Sequence, residues 1–563
     1  MIFIFDKLKQ QFSFADITLF IATILIGSFN EFAGCVLSAI LCVYIFVRLR
    51  NSKKIKIKIN LLSVSIALIC LMYGISILWA VDSGMAFIGF LKFLPLLLYL
   101  VTIWQSDKLN FETLLPYFAG VMVLISTVGM LIPFTTQFFS VAGRLAGFFQ
   151  YPNTFALFLL VAELILIGKE KFKILDFVCL AVIIFGLLYS GSRTVFLIAI
   201  AANIAALAYR FKSLFNKKAT YIYGAIFIVA AAIVVLVIFL LSPEVLKRYL
   251  SISLTESTFV GRILYWIDAL PLLIKYPFGM GYLGYNYIQG TVQTGWYTVR
   301  YAHNDFLQIA LDVGVIPGAM FVIAIVKTIF KKGFPFFKKL AILSICAHSF
   351  FDFDLQFLSV FFLLFLLLDH SDGKTINIRK NRNLLNGILC ILLVMNIYMG
   401  VHLTLAYFEQ NKAADAIYPF NTDVKIAMLE NETDLETANK ISDQILAQNT
   451  VTPIPYSVKS KYYYSIGDFN SLIECKRAVF ERNPFKYYEY EEYCQMLING
   501  IGLYQKAGDS QSVKYCQQEL VSVKNALDFN MSKLSELGQK IDLQPTTQLP
   551  KEILYYISEI EKG

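Results

Sequence analysis

Residues 301–318 read Tyr301-Ala302-His303-Asn304-Asp305-Phe306-Leu307-Gln308-Ile309-Ala310-Leu311-Asp312-Val313-Gly314-Val315-Ile316-Pro317-Gly318. A long polar loop ends here and an apolar helix begins, so the side chains of His303, Asn304, Asp305 and Gln308 stand where the chain meets a membrane surface. A helix begun at Asn304 places Asn304, Gln308 and Leu311 near one face by three-to-four spacing, with His303 at its mouth. The same residues also read as an ordinary capped helix start with an interfacial histidine.

The membrane follows from composition. The 563 residues are 57% hydrophobic and 16% charged, with a mean hydropathy of +0.62, which is too apolar for a soluble chain of this size. Residues 1–404 hold 33 Lys+Arg against 18 Asp+Glu, or +15, whereas 405–563 hold 16 against 22, or −6. The positive charges lie in short clusters between apolar runs, the pattern of cytoplasmic loops and not of a nucleic-acid surface. Of the nine cysteines, six fall in or beside apolar runs, while Cys475, Cys494 and Cys516 fall in the tail with their pairing open. No CxxC pair supports a zinc ribbon or redox site.

Apolar runs near 15–30, 33–48, 61–80, 85–103, 113–132, 154–168, 174–190, 193–209, 220–241, 304–326, 340–352, 355–368 and 384–404 predict about thirteen helices. Several are short of the roughly 20 residues a span needs. The first follows Lys7 and Lys9 without a small-residue cleavage site, which reads as an uncleaved anchor. Basic clusters follow the second run (Arg48 to Lys58), the sixth (Lys169, Lys171, Lys173), the eighth (Arg210 to Lys218), the tenth (Lys331, Lys332, Lys338, Lys339) and the twelfth (Lys374, Arg379, Lys380, Arg382). All five follow even-numbered runs, so one topology satisfies them, with the N-terminus inside. It leaves 133–153, 190–193, 242–303 and the tail outside. Two domains result: a membrane domain, 1–404, with an external loop at 242–303, and an extracytoplasmic helical domain, 405–563.

Within that loop, Arg262 to Lys275 alternates as an amphipathic helix lying on the membrane, with Trp266 as belt residue; Pro277, Gly279, Gly281 and Gly284 then break it. In the tail, Gln448-Asn449 and Arg482-Asn483-Pro484 recur 34 residues apart, and Gly467-Asp468-Phe469 and Gly508-Asp509-Ser510 look like inter-helix turns. These predict paired helical repeats of the tetratricopeptide kind, able to bind protein or glycan; a plain helical cap reads the same residues.

The topology leaves Arg144, Arg193, Arg262 and Arg300 outside, beside helix ends, and Lys92 a short way into the fourth run. Intramembrane lysine is expensive and functional by default, and arginine offers a donor fork that fits phosphate. Lys247, Arg248 and Lys275 read instead as snorkelling at the interface. No HExxH, DxD or Walker sequence occurs, and His370 and His402 stand apart from any carboxylate cluster. An enzyme outside the membrane also lacks nucleotide-sugar donors, so a lipid-linked pyrophosphate sugar would have to carry its own leaving group. The protein would supply a base and cations for the departing charge. Asn304 or Asp305 would hold the His303 ring, or cap the helix.

These residues resemble the O-antigen ligase and O-antigen polymerase (Wzy) superfamily. Gly261-Arg262 with Trp266, the glycine-rich run, His303 to Gln308 and Gly314 to Gly318 look like its signature region. Arg144-Leu-Ala-Gly147-Phe-Phe-Gln-Tyr-Pro152-Asn153, Ser190-Gly-Ser192-Arg193 and His348-Ser-Phe-Phe-Asp352 are similar to its other external motifs, in order, over roughly residues 15–400. The resemblance implies an all-α, polytopic, GT-C-like fold in a bacterial inner membrane. It implies a metal-independent, inverting glycosyltransferase without cofactor, moving a glycan from undecaprenyl pyrophosphate to a glycan, lipid or protein acceptor. Arg193 and Arg262 match the pyrophosphate-binding arginines and His303 the base; Arg144, Lys92, Asn304, Arg300 and His348 are expected to contact substrate. The competing readings are a lipid-linked-glycan flippase or transporter, which would gather its charges at the midplane, a protein O-oligosaccharyltransferase, and an anchored interaction protein.

Overall fold

The computed structural model describes residues 12–52, 54–106, 108–214, 243–251, 253, 256–378, 382–541 and 543–562. The expected run 220–241 lies outside the described residues, as do Lys7, Lys9, Lys53, Lys217, Lys218, Arg379 and Lys380. The helices up to residue 407 are α1 Phe14–Ile24, α2 Glu31–Ser52, α3 Leu61–Ile75, α4 Ser83–Gln105, α5 Phe111–Leu131, α6 Pro152–Ile167, α7 Ile174–Tyr189, α8 Arg193–Leu214, α9 Pro243–Leu250, α10 Ser257–Lys275, α11 Asp305–Val313, α12 Val315–Ile329, α13 Phe336–Ser349, α14 Leu358–Leu367 and α15 Arg382–Tyr407, with short turns of helix between them. Two small antiparallel strand pairs accompany these helices: β1 Ile55–Ile59 with β4 Lys374–Ile378, distant in sequence, and the hairpin of β2 Ser140–Val141 with β3 Arg144–Leu145. The tail adds α16 Asn411–Ile417, α17 Thr422–Asn431, α18 Leu435–Leu446, α19 Ile454–Ser465, α20 Phe469–Arg482, α21 Tyr487–Ala507, α22 Ser510–Met531 and α23 Lys551–Lys562. Among the described residues, seven helices are long and apolar enough to cross a membrane and five shorter apolar helices accompany them. The chain is an all-α, multi-pass membrane protein.

Among the described residues fewer helices than the thirteen expected are long enough to cross by themselves, because several apolar runs are broken. The first ends at Ile24, and Gly27 turns the chain with φ +59 against the rings of Phe149 and Phe357. The run 304–326 divides at Gly314, φ +97, where a Cβ would fall 2.8 Å from the Pro277 carbonyl oxygen, so only glycine lets the two segments meet. α14 has 10 residues and is buried throughout. Broken backbone at membrane depth is tolerated where it is covered by protein or lines a cavity, and here it faces the loops described below. α10 has the length of a span, yet Asp268 in its middle accepts hydrogen bonds from the Thr294 amide (2.9 Å) and the Tyr297 hydroxyl (2.9 Å). Thr294 in turn bonds Ser535 of the tail (3.1 Å). That company suits the surface-lying helix expected from sequence.

The basic clusters meet one another. β1 pairs with β4, Lys331 pairs with Asp369 and Asp372, Arg210 donates to the Lys169 carbonyl, and Tyr209 stacks on Phe336 at 4.1 Å. From that end α2 and α4, 22 and 23 residues long, run about 33–35 Å to an opposite end where the tail sits. There Asp82 accepts from Asn449 (2.9 Å) and Thr422, and the Tyr418 hydroxyl donates to the Gly84 carbonyl (3.1 Å). A Cβ on Gly84 would fall 1.8 Å from the Phe420 carbonyl oxygen, so docking requires glycine. Within the tail both expected turns are present: Gly467 and Gly508 take φ +76 and +74, and Asp468 and Asp509 cap the helices that follow. Cys475, Cys494 and Cys516 are buried and unpaired.

Candidate functional site

The site forms where the loop before α11 meets the turn after α13. Asn304 caps α11, its Oδ1 accepting from the Leu307 amide at 3.1 Å. To reach that cap His303 adopts φ +51, an uncommon conformation for a residue with a side chain and one that clusters at functional sites. Trp266 of α10 donates its indole N–H to the His303 carbonyl (3.3 Å). Asp305, one residue on, accepts from the Leu355 amide (2.7 Å) and thereby fixes the turn that carries Asp352.

Asp352 is the centre of the cluster. It is fully buried and receives the His303 Nδ1 (3.3 Å), the Arg262 guanidinium (3.2 Å), the Asn153 amide (3.0 Å), the Tyr151 hydroxyl (3.0 Å) and the Phe353 backbone N–H (3.0 Å). Burial alone would raise its pKa. Arg262, then the hydrogen bond and charge of His303, outweigh burial and hold the carboxyl well below the usual range. Asp352 is therefore a carboxylate at any working pH, and a carboxylate facing Nδ1 selects the tautomer with the proton there. Nε2 is left without a proton. The side chain of His303 is 22% exposed.

A second set of cations lies beside the first. Arg144, on β3, donates to the Ser190 carbonyl (2.7 Å) and to Asn153 (2.7 Å), which itself bonds Asp352. Burial, then the charges of Arg248 and Arg193, bring the Arg144 guanidinium down to about 10. Three arginines thus converge where α8 and α9 meet β3. Arg193 is paired with Glu256, while the Nε of Arg248 is buried without a hydrogen-bond partner among the described residues. Arg248, expected to snorkel at the interface, lies close enough for its charge to act on Arg144.

The remaining expected residues lie elsewhere. Lys92 is buried in an aromatic cage of Phe29, Phe93, Tyr282 and Tyr301, donating to the two tyrosine hydroxyls (3.0 and 3.3 Å). Arg300 bridges Glu31 and Asp423 (3.1 Å each). His348 pairs with Asp354, not Asp352, and Asp354 also accepts from Thr154 (2.7 Å). Asn304 is occupied as a cap, and neither it nor Asp305 holds the imidazole. Sequence reasoning passed over Asp352, Tyr151, Asn153 and Arg248 as site residues. The first three stood within quoted motifs, and a carboxylate in an apolar stretch that must find a partner was the usable signal. Among the described residues no three or more His, Cys, Asp or Glu are grouped to hold a metal.

Residues 178–322 match the family model described as O-Antigen ligase. No curated protein and no solved structure matches the chain. The matched segment contains Arg193, Arg248, Arg262 and His303, while Arg144, Tyr151, Asn153 and Asp352 reach the same cluster from outside it. The chain therefore carries, at residues 178–322, a domain of the O-antigen ligase and polymerase superfamily.

Proposed function

We propose that this protein is an extracytoplasmic glycan ligase or polymerase that moves an oligo- or polysaccharide from undecaprenyl pyrophosphate to an acceptor hydroxyl, with inversion and without a metal. The observation that carries the reading is the histidine on a buried carboxylate beside converging arginines. His303 Nε2 takes the acceptor proton as the acceptor oxygen bonds to the anomeric carbon. The bond from that carbon to the pyrophosphate oxygen breaks, and the leaving charge passes to Arg262, Arg193, Arg144 and Arg248. A positioned base and fixed cations are what such a displacement needs. A flippase would use charge near the midplane; here the charges gather at the loop end. The deciding assay sets transfer from a purified lipid-linked donor, with chelator present, beside glycan flux in proteoliposomes: flux without transfer would make it a transporter.

If the arginines grip pyrophosphate through their donor fork, lysine will not replace them. Arg262→Lys and Arg193→Lys are expected to insert normally and lose on the order of 10²–10³-fold in transfer, the cost of one missing charge-stabilising donor. Turnover near wild type in both would return these residues to a structural role.

The same reading puts the tail outside the membrane, because five basic clusters share the opposite end. Ser510 is exposed, so Ser510→Cys, with Cys475, Cys494 and Cys516 replaced by alanine, is expected to react with an impermeant maleimide in intact cells. Labelling only after permeabilisation would reverse the topology.

A further inference from the structure

Between the ends of α2, α4 and α15 and the tail helices α16 and α17 lies a cavity of about 780 Å³, within the roughly 300–1,000 Å³ of small-molecule sites. Its charge is one-sided: the carboxylates of Glu31, Glu409, Asp423 and Glu430 face a single guanidinium, Arg300, which is already paired with two of them. Such a lining repels pyrophosphate and anionic lipid headgroups. Among the described residues, the side chains of Asn30, Asn411 and Glu430 make no hydrogen bond, although all three line the space. Phe32 and Tyr407, with ring centroids 5.1 Å apart, add an aromatic wall. Amides and carboxylates that give and take hydrogen bonds, beside aromatic faces and without net positive charge, suit a neutral, hydroxyl-rich ligand.

Aromatic rings link the cavity to His303. Phe29 lines it, the Phe29 ring is 6.0 Å from Phe353, and Phe353 is 5.0 Å from the His303 ring, whereas Arg262 approaches from α10. We propose that this cavity holds sugar residues of an acceptor glycan, and that the tail, which supplies Asn411, Asp423 and Glu430, is there to complete it. The inference rests on the transfer reading for the word acceptor, but the binding itself does not.

The test uses the full chain in nanodiscs and oligosaccharides of two to six sugars cleaved from the host's own surface polysaccharide. Ala427→Trp, which fills the cavity, and the rim variants Asn411→Ala and Glu430→Ala are expected to weaken oligosaccharide binding at least tenfold and raise the acceptor KM alike, with the donor KM unchanged. Should Ala427→Trp fail to insert, the rim variants decide. Binding equal to wild type in the inserted variants, or no oligosaccharide binding by the wild type, overturns the proposal. Oligosaccharide binding that the variants weaken in a protein without transfer would sink the transfer reading and leave the cavity site standing; transfer untouched by the variants would do the reverse.

Discussion

Asp352→Asn is expected to lower glycan transfer by on the order of 10²–10⁴-fold, the range of a lost acid–base contribution, in a protein that still inserts. Asparagine keeps the shape of the side chain and loses its charge. It can present its amide N–H₂ to His303, so Nδ1 becomes the acceptor and the proton moves to Nε2, the atom that has to be bare. Either substitution takes from Arg262 the carboxylate that neutralises it in a buried place, and breaking such a pair costs about 3–5 kcal/mol; Asp352→Ala goes further, because the donors of Arg262, Asn153 and Tyr151 then lose their acceptor as well. Thermal unfolding followed by fluorescence should therefore rank the two variants, with Asn below wild type and Ala lower still. The pH dependence has a definite sign. A carboxyl whose pKa is depressed by folding contributes stability above its unfolded value, near ~3.9, and loses it only as pH falls through the folded value. With Asp352 held well below the usual range, its charge is constant between about pH 5 and 8. Equal transfer by Asp352→Asn and wild type would remove Asp352 from the mechanism.

The two kinds of residue in this site differ in how far sequence alone reveals them. His303 is legible because a polar cluster at the mouth of an apolar helix is conspicuous, and Arg193 and Arg262 because arginine is disfavoured at that end of the bundle. Asp352 comes within reach of His303 only through the turn between α13 and α14, held by the Asp305 to Leu355 hydrogen bond 50 residues apart. No periodicity encodes such a contact. Lys92 is legible as a buried lysine, but its partners are not: its four-ring cage and two tyrosine hydroxyls tie the loop around Tyr282 and Tyr301 to α4. The helices themselves were visible as apolar runs. Where those runs are interrupted was not, since Gly27 and Gly314 act through neighbours distant in sequence, Phe357 and Pro277. The meeting of the basic loops, by contrast, was implicit in the charge pattern.

His303→Ala carries the other large expectation. The imidazole is the one side chain in the cluster that can both accept and give a proton through a ring nitrogen, and its Nδ1 is already committed to Asp352 at 3.3 Å. Removing it takes away the base and leaves Arg262, Arg193, Arg144 and Arg248 in place. Donor binding should therefore persist while the chemical step fails, the kinetic signature of an interaction that acts in the transition state and not in the ground state. His348→Ala should do less to the rate, because His348 faces Asp354 inside the bundle. The direct measurement is donor binding and product formation on one purified preparation each of wild type and His303→Ala, with undecaprenyl-pyrophosphate-linked glycan as donor and chelator in both. The account predicts equal donor affinity within a factor of about three and a transfer rate lower by on the order of 10²–10⁴-fold in the variant. Product formed at the wild-type rate by His303→Ala, or a wild type silenced by chelator, would contradict it.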